Sequence, residues 1–201
     1  MNNIQLNPAF IPFSSFLKRL PTYGEAHNLL NSNEGHFFME ERGLALRIDY
    51  FGPSHNQLSS NAPISTGASR CWKHAHQLKN LNIQCPTPLG YIETQHEKGL
   101  ISFYISHHEP AKFNLRDILL SEHEDRELII ENYLFFLENS LQKNEVIHQH
   151  FDGTETHIHY RNGAYEFSLN KMVDLNFGQK FRLKEAIACL PPIDRPVEKM
   201  N

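Results

Sequence analysis

The sequence predicts an α+β fold of two small lobes, and three observations carry that expectation. Short runs of alternating apolar and polar residues lie on both sides of one amphipathic helical stretch, a second and longer helical stretch follows, and strand-like segments return near the end. The chain shows no internal repeat and no low-complexity linker. With 201 residues, 40% of them hydrophobic and 21% charged, it can bury a core as one domain or two small lobes.

Taken in order, "HFFMEERGLALRIDYF" (36–51) reads as two strands joined by a turn at Glu41 to Gly43, because its apolar and aromatic positions alternate. "GPSHNQLSSNAPISTG" reads as a loop from its Gly, Pro, Ser and Asn content. Ala68, Cys71, Trp72, Ala75 and Leu78 then set one apolar stripe on a helix through "ASRCWKHAHQLKN". "IQCPTPLGYIET" and "GLISFYISHH" form a strand pair with an irregular entry at Pro86 and Pro88. A long helix is expected in "HEDRELIIENYLFFLENSLQKN", where Leu128, Ile129, Tyr133, Phe136, Leu137 and Leu141 supply a broad core face behind an acidic start. A polar loop follows over 146–160, then one or two strands in "GAYEFSLNKMVDLNF", then a short helix in "KFRLKEAIACL" stopped by Pro191 and Pro192.

Composition excludes several function classes. A net charge of −4 without a basic stripe argues against a nucleic-acid surface. No apolar run suits a membrane span, and the opening residues lack a basic start followed by an apolar core, so no transmembrane segment or secretion signal is expected and the address read is cytoplasmic. Cys71, Cys85 and Cys189 are too widely spaced for a zinc motif and read as reduced, mostly buried thiols. No G-x-S-x-G elbow or cysteine nucleophile signature is present. Glu122 and Glu124 read as a solvated helix start.

"VIHQHFDGTETHIHY" (146–160) concentrates the candidate chemistry. His148 and His150 followed by Glu155 have the H-x-H-x₄-E spacing of a cupin metal motif, with both imidazoles on one side of a strand. Against that stand Glu145 in place of the glycine such a motif needs and the long helix leading in.

The segment "ASRCWKHAHQLKNLNIQCPTPLGYIETQHEKGLISFYISHH" resembles the lipopolysaccharide kinase family, the inner-core sugar kinases. Members carry a similar R-x-W/Y-x-x-A helix, an I-x-T-P-x-P-x-x-Y-I-E entry to a strand, and a Y-I-S strand. The resemblance covers roughly residues 40–178 and is most specific at the helix and "PTPLGYIE". It implies a protein-kinase-like fold, with a small β-rich N-lobe over 1–108, including an N-terminal extension, and a shortened helical C-lobe over 109–201. The function implied is ATP-dependent phosphotransfer to a core-sugar hydroxyl, with ATP and Mg as cofactors. The partners implied are a nucleotide and a lipopolysaccharide core sugar or lipid-linked glycan, met in the cytoplasm or peripherally at the inner membrane.

Residue by residue, the resemblance implies altered machinery. Arg47 stands where the family's strand lysine contacts phosphates, and a planar guanidinium does not simply replace an ammonium there. The helix from Ala68 to Asn80 contains no glutamate to pair with it, and Gly35 and Gly43 do not make a glycine-rich loop. Against the family's V-x-H-x-D-F-x-x-x-N-I-L loop, an ungapped alignment puts His150 on the catalytic aspartate and Glu155 on the metal-binding asparagine. A two-residue shift instead makes Asp152 the acid and puts His157 on the asparagine. The second metal-binding carboxylate matches Asp174 in "MVDLN", 24 residues after His150, whereas a hairpin of the family's usual length reaches Ser168. Three functions follow as expectations: altered phosphotransfer, a pseudokinase that binds a partner or glycan, or a cupin-like metal protein.

Overall fold

A computed structural model describes residues 3–55, 65–149 and 152–190. The chain divides into two compact units, one of residues 1–80 and 85–109 and the other of 81–84 and 110–201. The main boundary falls after Glu109, and a short excursion, 81–84, belongs to the second unit.

Unit 1 is built on a five-stranded antiparallel sheet. Its strands are β1 (Asn3–Leu6), β2 (Glu34–Glu41), β3 (Leu44–Phe51), β4 (Pro88–His96) and β5 (Gly99–His107), in the order β1-β4-β5-β3-β2. The hairpin read from the sequence forms as β2 and β3, closed by Arg42 and Gly43, both at positive φ (53° and 77°), which matches the strands' twist. Alternation then decides the faces. Leu46, Ile48 and Tyr50 of β3 pack with Ile92, Ile101, Phe103 and Ile105. That face is covered by Phe16, Leu17 and Leu20 from two short helices, α1 (Ser14–Leu17) and α2 (Leu20–Ala26).

The opposite face carries the helix that the apolar stripe predicts, α3 (Gly67–Asn80), which packs on β4 and β5 through Ala68, Cys71, Ala75 and Leu78. The N-terminal strand β1, absent from the sequence reading, alternates polar and apolar over only four residues, Asn3–Leu6. It forms because Gly90 lets β1 approach β4: a Cβ there would lie 2.7 Å from the Leu6 side chain and 2.8 Å from the Gln5 carbonyl oxygen.

Unit 2 holds β6 (Phe113–Asn114), α4 (Leu115–Leu119), α5 (Arg126–Phe136), β7 (Val146–His148), β8 (Thr156–Arg161), β9 (Ala164–Leu169), β10 (Leu175–Phe177) and α6 (Leu183–Ala188). The strands form a three-stranded sheet, β6-β8-β9, and a two-stranded one, β7-β10. Tyr133 and Phe136 of α5 pack on Phe167 of β9.

Four sequence expectations change. The long helix ends at Phe136 and widens into a π turn over Leu137–Gln142. Leu128 is 50% exposed because α5 turns Ile129, Ile130 and Tyr133 inward, a face one residue away. The expected polar loop over 146–160 contains β7 and most of β8, since hydrogen bonding to β10 and β9 compensates for weak apolar alternation. The three cysteines are free, but only Cys71 is buried and Cys189 is exposed. Among the described residues no helix is long and apolar enough to cross a membrane.

Candidate functional site

Unit 1 places Arg47 in the interior of its sheet, opposite Phe38 on β2 and Ser106 on β5. Both its Nε and Nη2 lie 2.9 Å from Asp49 Oδ1, and the two side chains are only 17% and 18% exposed. The acid that α3 lacks therefore comes from Arg47's own strand. Residues two apart on a strand share a face, so R-x-D in "LRIDY" is a local signal for this pair, one that the family pattern of a helix glutamate obscures. The two-residue hairpin turn leaves no glycine-rich loop beside this cation. His108 titrates below its ordinary value, first because burial disfavours its charge and then because Arg47 and His107 add positive potential.

Unit 2 brings the catalytic-loop-like segment to "MVDLN". Leu175 pairs with His148, and the Gln149 N–H donates to the Asp174 carbonyl at 2.9 Å. His148 is 2% exposed, with Nε2 3.3 Å from the Lys171 carbonyl oxygen. His150, the sequence candidate for the base, lies outside the described residues, and the His148/His150 cupin pair is outside them for the same reason.

Asp152 is held in a local turn. Its Oδ1 accepts from the Thr154 N–H (3.0 Å) and hydroxyl (2.6 Å), and its Oδ2 accepts from Arg116 at 3.1 Å. The Thr154 hydroxyl, its N–H, Arg116 and Lys171 hold the Asp152 carboxyl below its ordinary value, in that order of weight and against some desolvation. Gly153 has φ +89°, and a Cβ on it would stand 3.1 Å from the Arg116 backbone nitrogen.

Glu155 is fully buried, at 0% exposure. Its Oε2 accepts from the Gly153 N–H at 2.8 Å and its Oε1 from the Thr156 hydroxyl at 3.1 Å. Burial raises its carboxyl above the ordinary value more than these donors lower it. Asp174 closes a 3-10 turn, is partly buried, and its carboxylate has no hydrogen-bond partner among the described residues. Ser168 lies within β9, opposite His157, with its Oγ 3.0 Å from His159 Nε2.

Magnesium takes oxygen ligands in near-octahedral geometry and keeps several waters. Glu155 does not fit that requirement, because both its oxygens are engaged by donors of its own loop and no solvent reaches it. Asp174 keeps a carboxylate without a hydrogen-bond partner among the described residues, but no three His, Cys, Asp or Glu residues among those described are placed to hold a metal ion. Sequence reasoning also missed Asn170, which directly follows β9 and donates its N–H to the Glu155 carbonyl at 2.7 Å.

No protein-family model matches this chain, and no curated protein matches it. Among solved structures, "WaaP in complex with acyl carrier protein" matches with a TM-score of 0.61 at 14% identity, over 94% of this chain and 79% of that chain. The fold is kinase-like. The likeness is one of fold, and it agrees with the kinase-like fold that the resemblance at the helix and "PTPLGYIE" implies. The PK-1 kinase of Cydia pomonella granulovirus also matches, with a TM-score of 0.44 at 13% identity over 78% of this chain and 57% of that chain.

Proposed function

We propose that this chain is a lipopolysaccharide-kinase-like pseudokinase: a protein of phosphotransferase descent that binds a nucleotide or a core glycan and has lost efficient phosphotransfer. The observation that carries this reading is Glu155, at the position the ungapped alignment gives to a metal-binding asparagine, buried and consumed by its own loop. Phosphoryl transfer depends on positioning and charge neutralisation, so a cation-binding group turned inward removes a large part of the rate. The Arg47–Asp49 pair adds to this, because the cation meant for phosphates is already partnered.

The test combines a phosphotransfer assay with thermal shift. The expected result is a stabilising shift with ATP or a core oligosaccharide and no ADP formation above buffer. Acyl carrier protein, bound to WaaP in its solved complex, is the first protein partner to try, by co-elution.

A second reading, a weak phosphotransferase, is favoured by Asp174, whose backbone carbonyl accepts from the Gln149 N–H of the loop and whose carboxylate has no hydrogen-bond partner among the described residues. There His150 would serve as general base near neutral pH, since an unperturbed imidazole titrates at about 6.5. Magnesium-dependent ADP release that Asp174→Asn abolishes would replace the pseudokinase reading with this one.

A further inference from the structure

Two buried polar side chains close the mouth of the β8–β9 hairpin. Each strand runs six residues out from the Asn162–Gly163 turn, so Glu155 directly precedes β8 and Asn170 directly follows β9. The 2.7 Å bond from the Asn170 N–H to the Glu155 carbonyl carries the ladder one step past the Thr156–Leu169 pair. One position thus brings a carboxyl and the other a carboxamide, at 0% and 4% exposure.

Neither is arranged as a cation ligand. Both Glu155 oxygens accept bonds from the segment that Glu155 itself ends or adjoins, at Gly153 and Thr156. The Asn170 amide nitrogen is buried without a hydrogen-bond partner among the described residues. A divalent ion such as magnesium favours anionic oxygen ligands, and with Asn170 neutral the mouth offers at most the one carboxyl of Glu155, whose oxygens already accept bonds. The internal bonds already do what an ion would do for the backbone there: they fix Gly153 in its left-handed conformation and hold the turn that carries Asp152.

We propose that the Glu155–Asn170 pair takes the place of a divalent-cation site, so that this segment is organised without metal and the chain takes its anionic ligand in the metal-free form. The inference deepens the pseudokinase reading and rests on it for the catalytic-loop character of 146–177. Glu155 is here a positioning residue, acting through the Gly153 amide. Asn170 is the residue whose lack of charge keeps a cation out.

The experiment uses the intact chain and thermal unfolding in EDTA, in Mg²⁺ and in Mn²⁺, each without and with ATP. Wild type is expected to melt at one temperature in all three, and ATP to shift it equally in EDTA and in Mg²⁺. Glu155→Gln keeps one acceptor for the Gly153 N–H and turns the other position into an NH₂ that the Thr156 hydroxyl, rotated, can accept, and is expected to melt within about 2 °C of wild type, equally insensitive to cations. Asn170→Asp sets a second carboxylate beside Glu155 and is expected to melt lower in EDTA and to recover by about 3 °C or more in Mn²⁺.

A wild-type rise of that size in Mg²⁺ or Mn²⁺ overturns the inference, and its loss in Glu155→Gln would assign the cation to Glu155. If Asn170→Asp does not fold, the wild-type and Glu155→Gln arms still decide. A cation-driven rise without phosphotransfer sinks only this inference, whereas phosphotransfer in EDTA sinks only the pseudokinase reading.

Discussion

Arg47 in unit 1 and Glu155 in unit 2 are the two charged residue types that the family resemblance puts on phosphate and metal, and the protein treats them in opposite ways. Arg47 keeps its charge on an interior strand because Asp49, two residues along, supplies the opposite charge through two 2.9 Å contacts to one oxygen. Glu155 loses all exposure and is held by an amide and a hydroxyl, and burial pushes its carboxyl towards the protonated form. A mostly buried charge thus survives where a complementary charge shares its face. Where an amide and a hydroxyl are the donors instead, burial outweighs them and shifts the group away from its charged form.

Removing the hub should have the largest effect. Glu155→Ala leaves the Gly153 N–H and the Thr156 hydroxyl without an acceptor in a buried site, and is expected to cost about 3 kcal/mol by urea denaturation. Glu155→Gln is expected to cost less than about 1 kcal/mol. Equal losses in the two variants would show that the carboxyl is ionised, against the contrast drawn above.

The pH profile sharpens the same contrast. The folded Glu155 binds its proton more tightly than the unfolded one, whose ordinary value is 4.5. Its contribution is therefore full below 4.5 and is lost as pH rises towards the folded value. Asp152 runs the other way: its contribution is present above its ordinary 3.8 and is lost as pH falls through its lower folded value. Urea midpoints against pH should keep the acid-side loss in Glu155→Gln and lose the decline above 4.5. A decline that persists unchanged would remove Glu155 as its source.

Asp49→Ala should come next, at about 2 kcal/mol, because it strands a guanidinium that is 17% exposed. The double variant Arg47→Met/Asp49→Leu is expected to recover most of that loss, and no recovery would mean that Asp49 acts apart from Arg47. Gly153→Ala is expected to cost about 1–2 kcal/mol, from a positive φ and the close Arg116 nitrogen. Arg116→Ala removes an ion pair whose side chains are 42% and 44% exposed and should cost less than about 1 kcal/mol. A larger loss there would move the weight of the loop from Glu155 to Asp152.

The difference between what was and was not legible follows the range of the forces involved. The β2–β3 hairpin and α3 were readable because alternation and helical periodicity are local, and one buried face suffices to express them. The strand β8 was missed although Asn162–Gly163 is a hairpin turn signal, because its histidines and threonine hide the apolar positions. Counting seven residues outward from that turn reaches Glu155 and Asn170, so the pairing of these two positions is legible in the sequence. Asp49 was not legible for a different reason: the family resemblance assigns the partner of residue 47 to the helix, whereas the strand itself supplies it.

By itself the sequence determined the α+β pattern, the resemblance to lipopolysaccharide kinases and the residue types at the altered positions. These depend on side-chain identity and on spacing of a few residues. Tertiary structure decided that Arg47 is partnered by its own strand, that Glu155 is buried among donors, and that Asn170 faces it across a ladder. The physical reason is that desolvation and hydrogen-bond satisfaction belong to a place in the fold, and a charge's fate is settled only when its neighbours and its water are known.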